Sequence, residues 1–86
     1  MKKSDFGRAK INVQVTPGEM LKTLRELQEM TQLDLSKLTS IPQSNISAME
    51  NGSAQIGRDR ALALAKALKV HPAVILFPDF DIQEVA

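Results

Sequence analysis

The sequence predicts a single all-α domain of five helices. Its apolar residues are mostly Leu, Ile, Val, Ala and Met, whereas Trp and Tyr are absent and only 3 Phe occur among 86 residues. Strands favour aromatic and β-branched residues, so this composition favours packed helices. Apolar residues recur at helical spacing in several windows, and capping residues, prolines and glycines separate these windows from one another.

The composition also limits the class of protein. Without cysteine, the chain can form neither a disulfide nor a thiolate metal site. No apolar run approaches the roughly 18 residues that span a bilayer, and the charged N-terminus does not resemble a signal peptide. We therefore expect a soluble, cytoplasmic protein without a membrane partner. The net charge is +1.

Charge and periodicity divide the chain into three parts. Four of the five charged residues in 1–15 are basic, and all three charged residues in 78–86 are acidic. We predict a basic N-terminal arm over 1–15, a folded domain over 16–77 and an acidic C-terminal tail over 78–86. Ile11, Val13 and Val15 alternate with polar residues in a short strand-like pattern. The arm is interpreted as partly ordered, as an edge strand for a partner chain, or as a phosphate contact.

The first helix is predicted to begin after Thr16. Pro17 suits the first helical position, and Glu19 completes a capping box with Thr16. Leu21, Leu24 and Leu27 form an apolar stripe, and the helix is expected to end near Met30.

The second helix is predicted to be capped by Thr31 and Asp34, with Leu33, Leu35 and Leu38 on its apolar side. It stops near Ser40 because Pro42 pushes the preceding residue out of the helical region. A turn over 40–42 has the length expected between the helices of a helix-turn-helix. The third helix then runs from Pro42 or Gln43 to Asn51, where Gly52 ends it.

The fourth helix is predicted from about Arg58 to Lys69, with Leu62, Ala65 and Leu68 along its core side. A fifth, short helix follows over 73–77 between two prolines. It is apolar nearly all round, so it is either buried in the core or shared with a second subunit.

Catalysis is not supported by the residues present. The one histidine, His71, precedes a proline at a helix start, where a structural role is expected. The serines lie in no recognisable nucleophile motif, the glycines are isolated rather than arranged in a phosphate loop, and the acids lack the spacing of a metal cage. The chain is predicted to be no enzyme and to hold neither a cofactor nor a metal.

The third helix carries the functional prediction. Its outward or flanking side chains are small and uncharged, whereas an ordinary surface helix carries long charged residues. A helix fits the DNA major groove, and amide and hydroxyl groups match the donors and acceptors of base edges. Nearby Lys37, Arg58 and Arg60 are predicted to contact phosphates. The outward or flanking residues of the third helix are Gln43, Ser44, Asn45, Ser47 and Ala48.

The chain resembles the Cro/C1 helix-turn-helix family, also called Xre-like, over about residues 17–77. The matching residues of the helix-turn-helix are Gln32, Leu35, Ile41, Gln43, Ile46, Met49 and 50–52. The likeness continues through Leu21, Leu24 and Arg25 in the first helix and through 64–70 in the fourth. The resemblance implies a five-helix, lambda-repressor-like DNA-binding domain, which the N-terminal arm extends.

The resemblance also implies roles for individual residues. Gln32 is expected to anchor a phosphate, and Arg25 and Glu50 are expected to form a buried ion pair. Two residues depart from the family pattern: Ser36 stands where alanine is usual, and Ser40 stands where glycine is usual. Bases are expected to be read by Gln43, Ser44 and Ala48, with Pro42, Asn45 and Ser47 flanking them.

These observations predict a sequence-specific DNA-binding transcriptional regulator. It is expected to be a homodimeric repressor of a palindromic operator in double-stranded DNA, with Val74, Ile75 and Phe77 in the dimer interface. Its small size is similar to that of a HigA-type antitoxin, which would add a toxin as a partner protein, and equally to that of a restriction–modification controller protein. The alternative from another class is a protein-interaction module that keeps the helical fold.

Overall fold

The computed structural model describes residues 15–78 and contains five helices and no strand within them. The predictions for the arm and the tail fall outside the described residues, apart from Val15 and Pro78. The all-α prediction is confirmed. The helices are α1 (Pro17–Leu27), α2 (Gln32–Thr39), α3 (Gln43–Asn51), α4 (Arg58–Leu68) and α5 (Pro72–Leu76).

One apolar core joins all five helices. α3 packs against α1 and α2, while α4 packs against α2 and α5. Ile41, in the turn before α3, is also part of this core. The short helices are therefore held by tertiary contacts, since helices of this length are marginal in water on their own. The buried core residues are Leu21, Leu35, Ile41, Ile46, Met49, Leu64, Ala65, Leu68 and Ile75.

Three helix starts carry side-chain caps, and the sequence predicts the first two of them. The Glu19 N–H donates to Thr16 Oγ1 at 3.1 Å, and the Thr16 N–H donates to Glu19 Oε1 at 3.0 Å. Thr31 and Asp34 form the same reciprocal pair at 2.9 Å, and the N–H of Thr31 lowers the pKa of the Asp34 carboxyl. At the start of α5, His71 Nδ1 accepts the Ala73 N–H at 3.0 Å, which is the structural role expected of this histidine.

The end of α1 differs from the prediction by three residues. The helix ends at Leu27 because Glu29 adopts a left-handed conformation with φ 58°, and the chain closes in a Schellman motif. In this motif the Met30 N–H donates to the Arg25 carbonyl at 3.0 Å, and the Glu29 N–H donates to the Glu26 carbonyl at 2.9 Å. Glycine is the usual residue at such a position, so the sequence contained no clear stop signal.

Four leucines assigned to the core stripes are exposed. Leu27 is 75% exposed and Leu38 is 61% exposed, and Leu33 and Leu62 are also exposed. The prediction was wrong for these residues because short helices contact their neighbours along a narrow side. In α2 that side carries Leu35, and Leu33 lies two residues earlier, about 200° around the helix.

Gly18 allows α1 to approach the end of α3 closely. A Cβ added at Gly18 would overlap the carbonyl oxygen of Met49 and would lie 2.8 Å from the carbonyl oxygen of Glu50. Both obstacles are backbone atoms, which cannot move aside as a flexible side chain does. The residue at this position therefore sets the distance between α1 and α3.

Candidate nucleic-acid interface

The turn between α2 and α3 directs the third helix. Ser40 adopts a left-handed conformation, with φ 65° and ψ 16°, which glycine takes more easily than serine. Pro42 follows in an extended conformation, and α3 begins at Gln43. The helix ends before Gly52, which has φ 89°. The predicted helix-turn-helix over 32–51 is therefore present with the predicted boundaries.

The outer face of α3 is polar and uncharged. Gln43 and Ser44 are exposed, and Asn45, Ser47 and Ala48 are half-buried, whereas Ile46 and Met49 lie in the core. The side chains at 43, 44, 47, 48 and 51 lie on one side of the helix because they are three or four residues apart. Glu50 is the one charged residue of α3, and it is buried. The accessible face therefore offers amide and hydroxyl hydrogen-bonding groups without a net charge.

A buried ion pair ties α1 to α3. Arg25 Nε donates to Glu50 Oε2 at 2.6 Å, and Arg25 Nη2 donates to Glu50 Oε1 at 2.9 Å. Arg25 is 7% exposed and Glu50 is 8% exposed. Arg25 Nη1 also donates to the Met30 carbonyl at 2.8 Å, so the guanidinium joins α1, the following loop and α3.

The environment of Glu50 keeps this carboxyl ionised. Burial alone would raise the pKa of Glu50, but the hydrogen bonds from Arg25 and Gln32 and the charge of Arg25 lower it below the ordinary value. The hydrogen bond to Glu50 likewise raises the pKa of Arg25 in spite of desolvation. A doubly hydrogen-bonded Arg–carboxylate pair has a fixed relative geometry, so it orients α3 on α1.

Gln32, the first residue of α2, extends the network to the surface. Gln32 Nε2 donates to Glu50 Oε1 at 3.0 Å, and the side chain is half-buried. A primary amide has two N–H groups and a carbonyl oxygen. The bond to Glu50 engages one N–H, so the orientation of the amide is set before any ligand arrives.

A polar cleft of about 340 Å³ opens beside this network. It brings together Gln32 and Ser47, two of the predicted DNA contacts, with Lys22 and Asn51, which the sequence pattern did not single out. The sequence spacing could have indicated both residues, because Lys22 precedes Arg25 by one helical turn and Asn51 follows Ser47 by one helical turn. An ammonium beside amide and hydroxyl groups suits an anion such as phosphate. The cleft is lined by Lys22, Arg25, Gln32, Ser47, Glu50 and Asn51.

The other predicted phosphate contacts lie apart from the cleft. Lys37 is exposed in the last turn of α2, Arg58 is exposed as the first residue of α4, and Arg60 is half-buried two residues later. None of the three lines the cleft. Pro42 is exposed as the residue that precedes α3.

The predicted dimer surface needs one correction. Phe77 is 63% exposed and Val74 is 37% exposed, so both side chains are accessible in the single chain. Ile75 is 0% exposed and belongs to the core of its own chain. A short helix cannot turn all of its apolar residues outward, and the Ile75 side chain is already used in folding.

Two further properties concern residues 15–78 only. No described helix is long and apolar enough to cross a membrane. Across the same residues, no group of three or more His, Cys, Asp or Glu side chains has an arrangement that would hold a metal ion.

Comparison with known proteins places the chain in a family. The model of the helix-turn-helix family matches residues 21–75, which include α2, the turn and α3. No curated protein matches the chain.

Three solved structures are similar to the chain over most of its length. The P22 c2 repressor in complex with synthetic operator 9T is 28% identical, covers 76% of this chain and 97% of its own, and has a TM-score of 0.69. The solution structure of the P22 c2 DNA-binding domain is 26% identical, with coverages of 80% and 92% and a TM-score of 0.71.

The third structure is the restriction–modification controller protein C.AhdI from Aeromonas hydrophila. It is 26% identical, covers 79% of this chain and 98% of its own, and has a TM-score of 0.68. The family match spans well over half of the chain. The chain therefore belongs to the Cro/C1 type of the helix-turn-helix family and is a DNA-binding transcription regulator, not an enzyme.

Proposed function

We propose that this regulator binds a palindromic operator in double-stranded DNA as a homodimer and places α3 of each subunit in the major groove. The observation that supports the proposal most strongly is the uncharged face of α3, exposed at Gln43 and Ser44 and oriented by the buried Arg25–Glu50 pair. Base recognition requires hydrogen-bond donors and acceptors that are held in a fixed orientation. This face of α3 carries such groups, and the ion pair fixes its orientation.

Gln43 and Ser44 are the proposed base readers. Both are exposed in the first turn of α3, the part of a recognition helix that contacts base edges. The Gln43 amide can pair with adenine through two hydrogen bonds, whereas the Ser44 hydroxyl can form a hydrogen bond with any of several bases. Ala48 lies one turn further along and has only a methyl group, which suits contact with a thymine methyl.

The polar cleft is the proposed phosphate site. Gln32 and Ser47 lie in it beside Lys22 and Asn51, and Lys22 supplies a positive charge that α3 lacks. Lys37, Arg58 and Arg60 are proposed to contact further phosphates on either side. Such contacts position the protein on the duplex, while the base contacts specify the sequence.

Val74 and Phe77 are proposed to form the dimer contact. They are exposed apolar residues in and directly after α5. A two-fold interface is formed by the same surface patch of both subunits, so one small apolar patch on each subunit is sufficient for the contact. Two subunits related in this way present two copies of α3, which explains the expectation of a palindrome with half-sites about 34 Å apart.

We further propose that operator binding represses transcription. The likeness to the P22 c2 repressor supports this role, and the likeness to C.AhdI supports a restriction–modification controller as the second candidate. An antitoxin would belong to the same proposal and would bind its toxin through the arm or the tail. The neighbouring gene distinguishes them: a small ribonuclease points to an antitoxin, and a methylase or nuclease points to a controller.

One experiment tests both the DNA binding and the dimer. The full chain is used to select duplexes from a random-sequence pool, and its affinity for the selected sequence is measured by fluorescence anisotropy over a range of salt concentrations. We expect a palindrome with half-sites one helical turn apart, and an affinity that falls steeply with salt because phosphate contacts release counterions.

Two other outcomes have definite meanings. A single, non-repeated site would contradict the dimer. Failure to enrich any sequence, together with salt-independent behaviour, would contradict the proposed function and would favour the protein-interaction module instead.

A further inference from the structure

Ser36 holds the turn that leads into α3. Its hydroxyl Oγ donates to the Ile41 carbonyl oxygen at 2.6 Å, and its own carbonyl oxygen accepts the Ser40 N–H at 2.8 Å. One residue of α2 therefore contacts the backbone N–H of the left-handed Ser40 and the backbone carbonyl of the residue that follows it. Alanine at this position would keep the backbone contact and lose the hydroxyl contact.

Ile41 needs such partners because it is buried. The residue is 7% exposed and packs in the core, so its peptide groups are removed from water together with its side chain. The Ile41 N–H donates to Thr39 Oγ1 at 3.2 Å, while the Ile41 carbonyl accepts from Ser36. Both backbone polar groups of Ile41 are thus satisfied by hydroxyl side chains of α2, as buried backbone groups require.

The start of α3 has no side-chain cap of its own. Pro42 occupies the N-cap position and makes no side-chain hydrogen bond, whereas α1, α2 and α5 each begin with a side-chain cap. In the first turn of the helix, the amides of Asn45 and Ile46 donate to the Pro42 carbonyl at 2.9 and 3.1 Å. The direction of α3 therefore depends on the backbone at Pro42, and Ser36 holds the carbonyl of Ile41, the residue directly before it.

The left-handed turn makes this contact more important. A serine in the left-handed region is disfavoured relative to glycine, so Ser40 alone does not stabilise the observed turn. The chain combines an unfavourable residue at Ser40 with a hydroxyl at Ser36 that bridges over it. The two serines therefore act as a pair.

We propose that Ser36 is a positioning residue for base recognition. Its hydroxyl holds the Ile41 carbonyl across the strained turn and thereby fixes the direction in which α3 presents Gln43 and Ser44. Ser36 itself contacts no base, and it affects DNA through the orientation of α3. The part of this inference that concerns DNA rests on the proposed function.

The test compares Ser36→Ala with Thr16→Ala in the full chain. Thr16→Ala removes the cap of α1, away from the turn, and serves as a control for general loss of stability. For each protein, the affinity for the duplex selected by the unmodified chain is divided by the affinity for a scrambled duplex, at a temperature where circular dichroism shows complete folding. We expect Ser36→Ala to lower this ratio at least about fivefold, the lower end of the cost of one mismatched base pair. The control should leave the ratio unchanged.

Ser36→Thr and Ser40→Gly sharpen the comparison. The threonine variant keeps the hydroxyl and should retain the preference of the unmodified chain. Ser40→Gly removes the unfavourable left-handed serine, so adding Ser36→Ala to it should lower the ratio less than Ser36→Ala does alone. Equal effects of Ser36→Ala in both backgrounds would contradict the coupling between the two serines.

Amide hydrogen exchange provides a readout that does not depend on DNA. Ser36→Ala should speed exchange at Asn45 and Ile46 relative to amides of α4, because the start of α3 loses its support. Unchanged relative exchange together with an unchanged preference ratio would overturn the inference. If the unmodified chain selects no DNA sequence but exchange changes as expected, the proposed function fails while the role of Ser36 in holding α3 stands.

Discussion

Glu50→Ala is expected to lower the free energy of unfolding by about 3–5 kcal/mol, the usual cost of removing one partner of a buried ion pair. The substitution leaves the Arg25 guanidinium buried with only the Met30 carbonyl as a strong acceptor. It also releases the Gln32 amide from its position at the start of α2. The first consequence acts on the contact between α1 and α3, and the second acts on the contact between α2 and α3.

Urea denaturation followed by circular dichroism measures this loss. Glu26→Ala is a suitable control because Glu26 lies 4.0 Å from Arg25 but is exposed. Surface pairs contribute little, so the control should change stability by less than about 1 kcal/mol. The double variant Arg25→Met, Glu50→Leu should recover part of the loss, since it leaves no buried charge. A loss for Glu50→Ala no larger than that of the control would contradict the assigned role.

The same pair predicts how stability depends on pH. The pKa of Glu50 is lower in the folded chain than in the unfolded chain, so the folded state binds fewer protons near that range. The stabilisation is therefore fully present above the ordinary pKa of a glutamate and is lost as the pH falls through the lowered value. Glu50→Ala should remove this part of the acid dependence.

Gly18→Ser is expected to be destabilising by at least about 1–3 kcal/mol, as overpacking of a tight contact usually is. The new side chain meets the carbonyl oxygens of Met49 and Glu50, so α1 must move away from α3. This movement also strains the Arg25–Glu50 pair, which joins the same two helices.

Gly57→Ser is the matched control for Gly18→Ser. A Cβ at Gly57 meets nothing within 4 Å, and the residue is the N-cap of α4, where serine is favourable. Thermal unfolding of the two variants should show a lowered midpoint for Gly18→Ser and an unchanged or raised midpoint for Gly57→Ser. Equal midpoints would show that the approach of α1 to α3 is not as tight as the structure indicates.

Local signals in the sequence predicted most of the helix boundaries. The pairs Thr16–Glu19 and Thr31–Asp34 are sequence-local, since both partners lie within one helical turn, and both form as predicted. The stop at Gly52 and the break at Pro42 are likewise local properties of the backbone. Where the stop signal was weak, at Glu29, the predicted end of α1 was three residues late.

Burial depended on contacts that the sequence does not display. Leu27 and Leu38 follow helical spacing, yet they are exposed because the neighbouring helices do not reach them. The need for a glycine at position 18 arises only once α3 lies against α1. The contact at Gly18 joins residues about 30 positions apart in the sequence, and no periodic pattern encodes it.

The candidate site was predicted in part. The outer face of α3 followed from its unusual lack of exposed charge; of the residues predicted there, the structure leaves Gln43 and Ser44 exposed and the other three half-buried. The hydrogen bond from Gln32 to Glu50 and the participation of Lys22 and Asn51 in the cleft did not follow, because they require three helices to be placed together. The role of Ser36 was hidden as well, since its partner is a backbone carbonyl.

We propose that α3 reads bases, and the base preference of Gln43→Ala tests this role most directly. The variant and the unmodified chain are used to select duplexes from the same random pool, and affinities for the selected sequences are then compared. We expect the variant to lose its base preference at one position of each half-site, where the difference in binding free energy between the preferred base and the others should fall by about 1–3 kcal/mol. The base preferences at the other positions and the salt dependence of binding should not change. Selection of the same sequence with the same affinity by both proteins would contradict the claim.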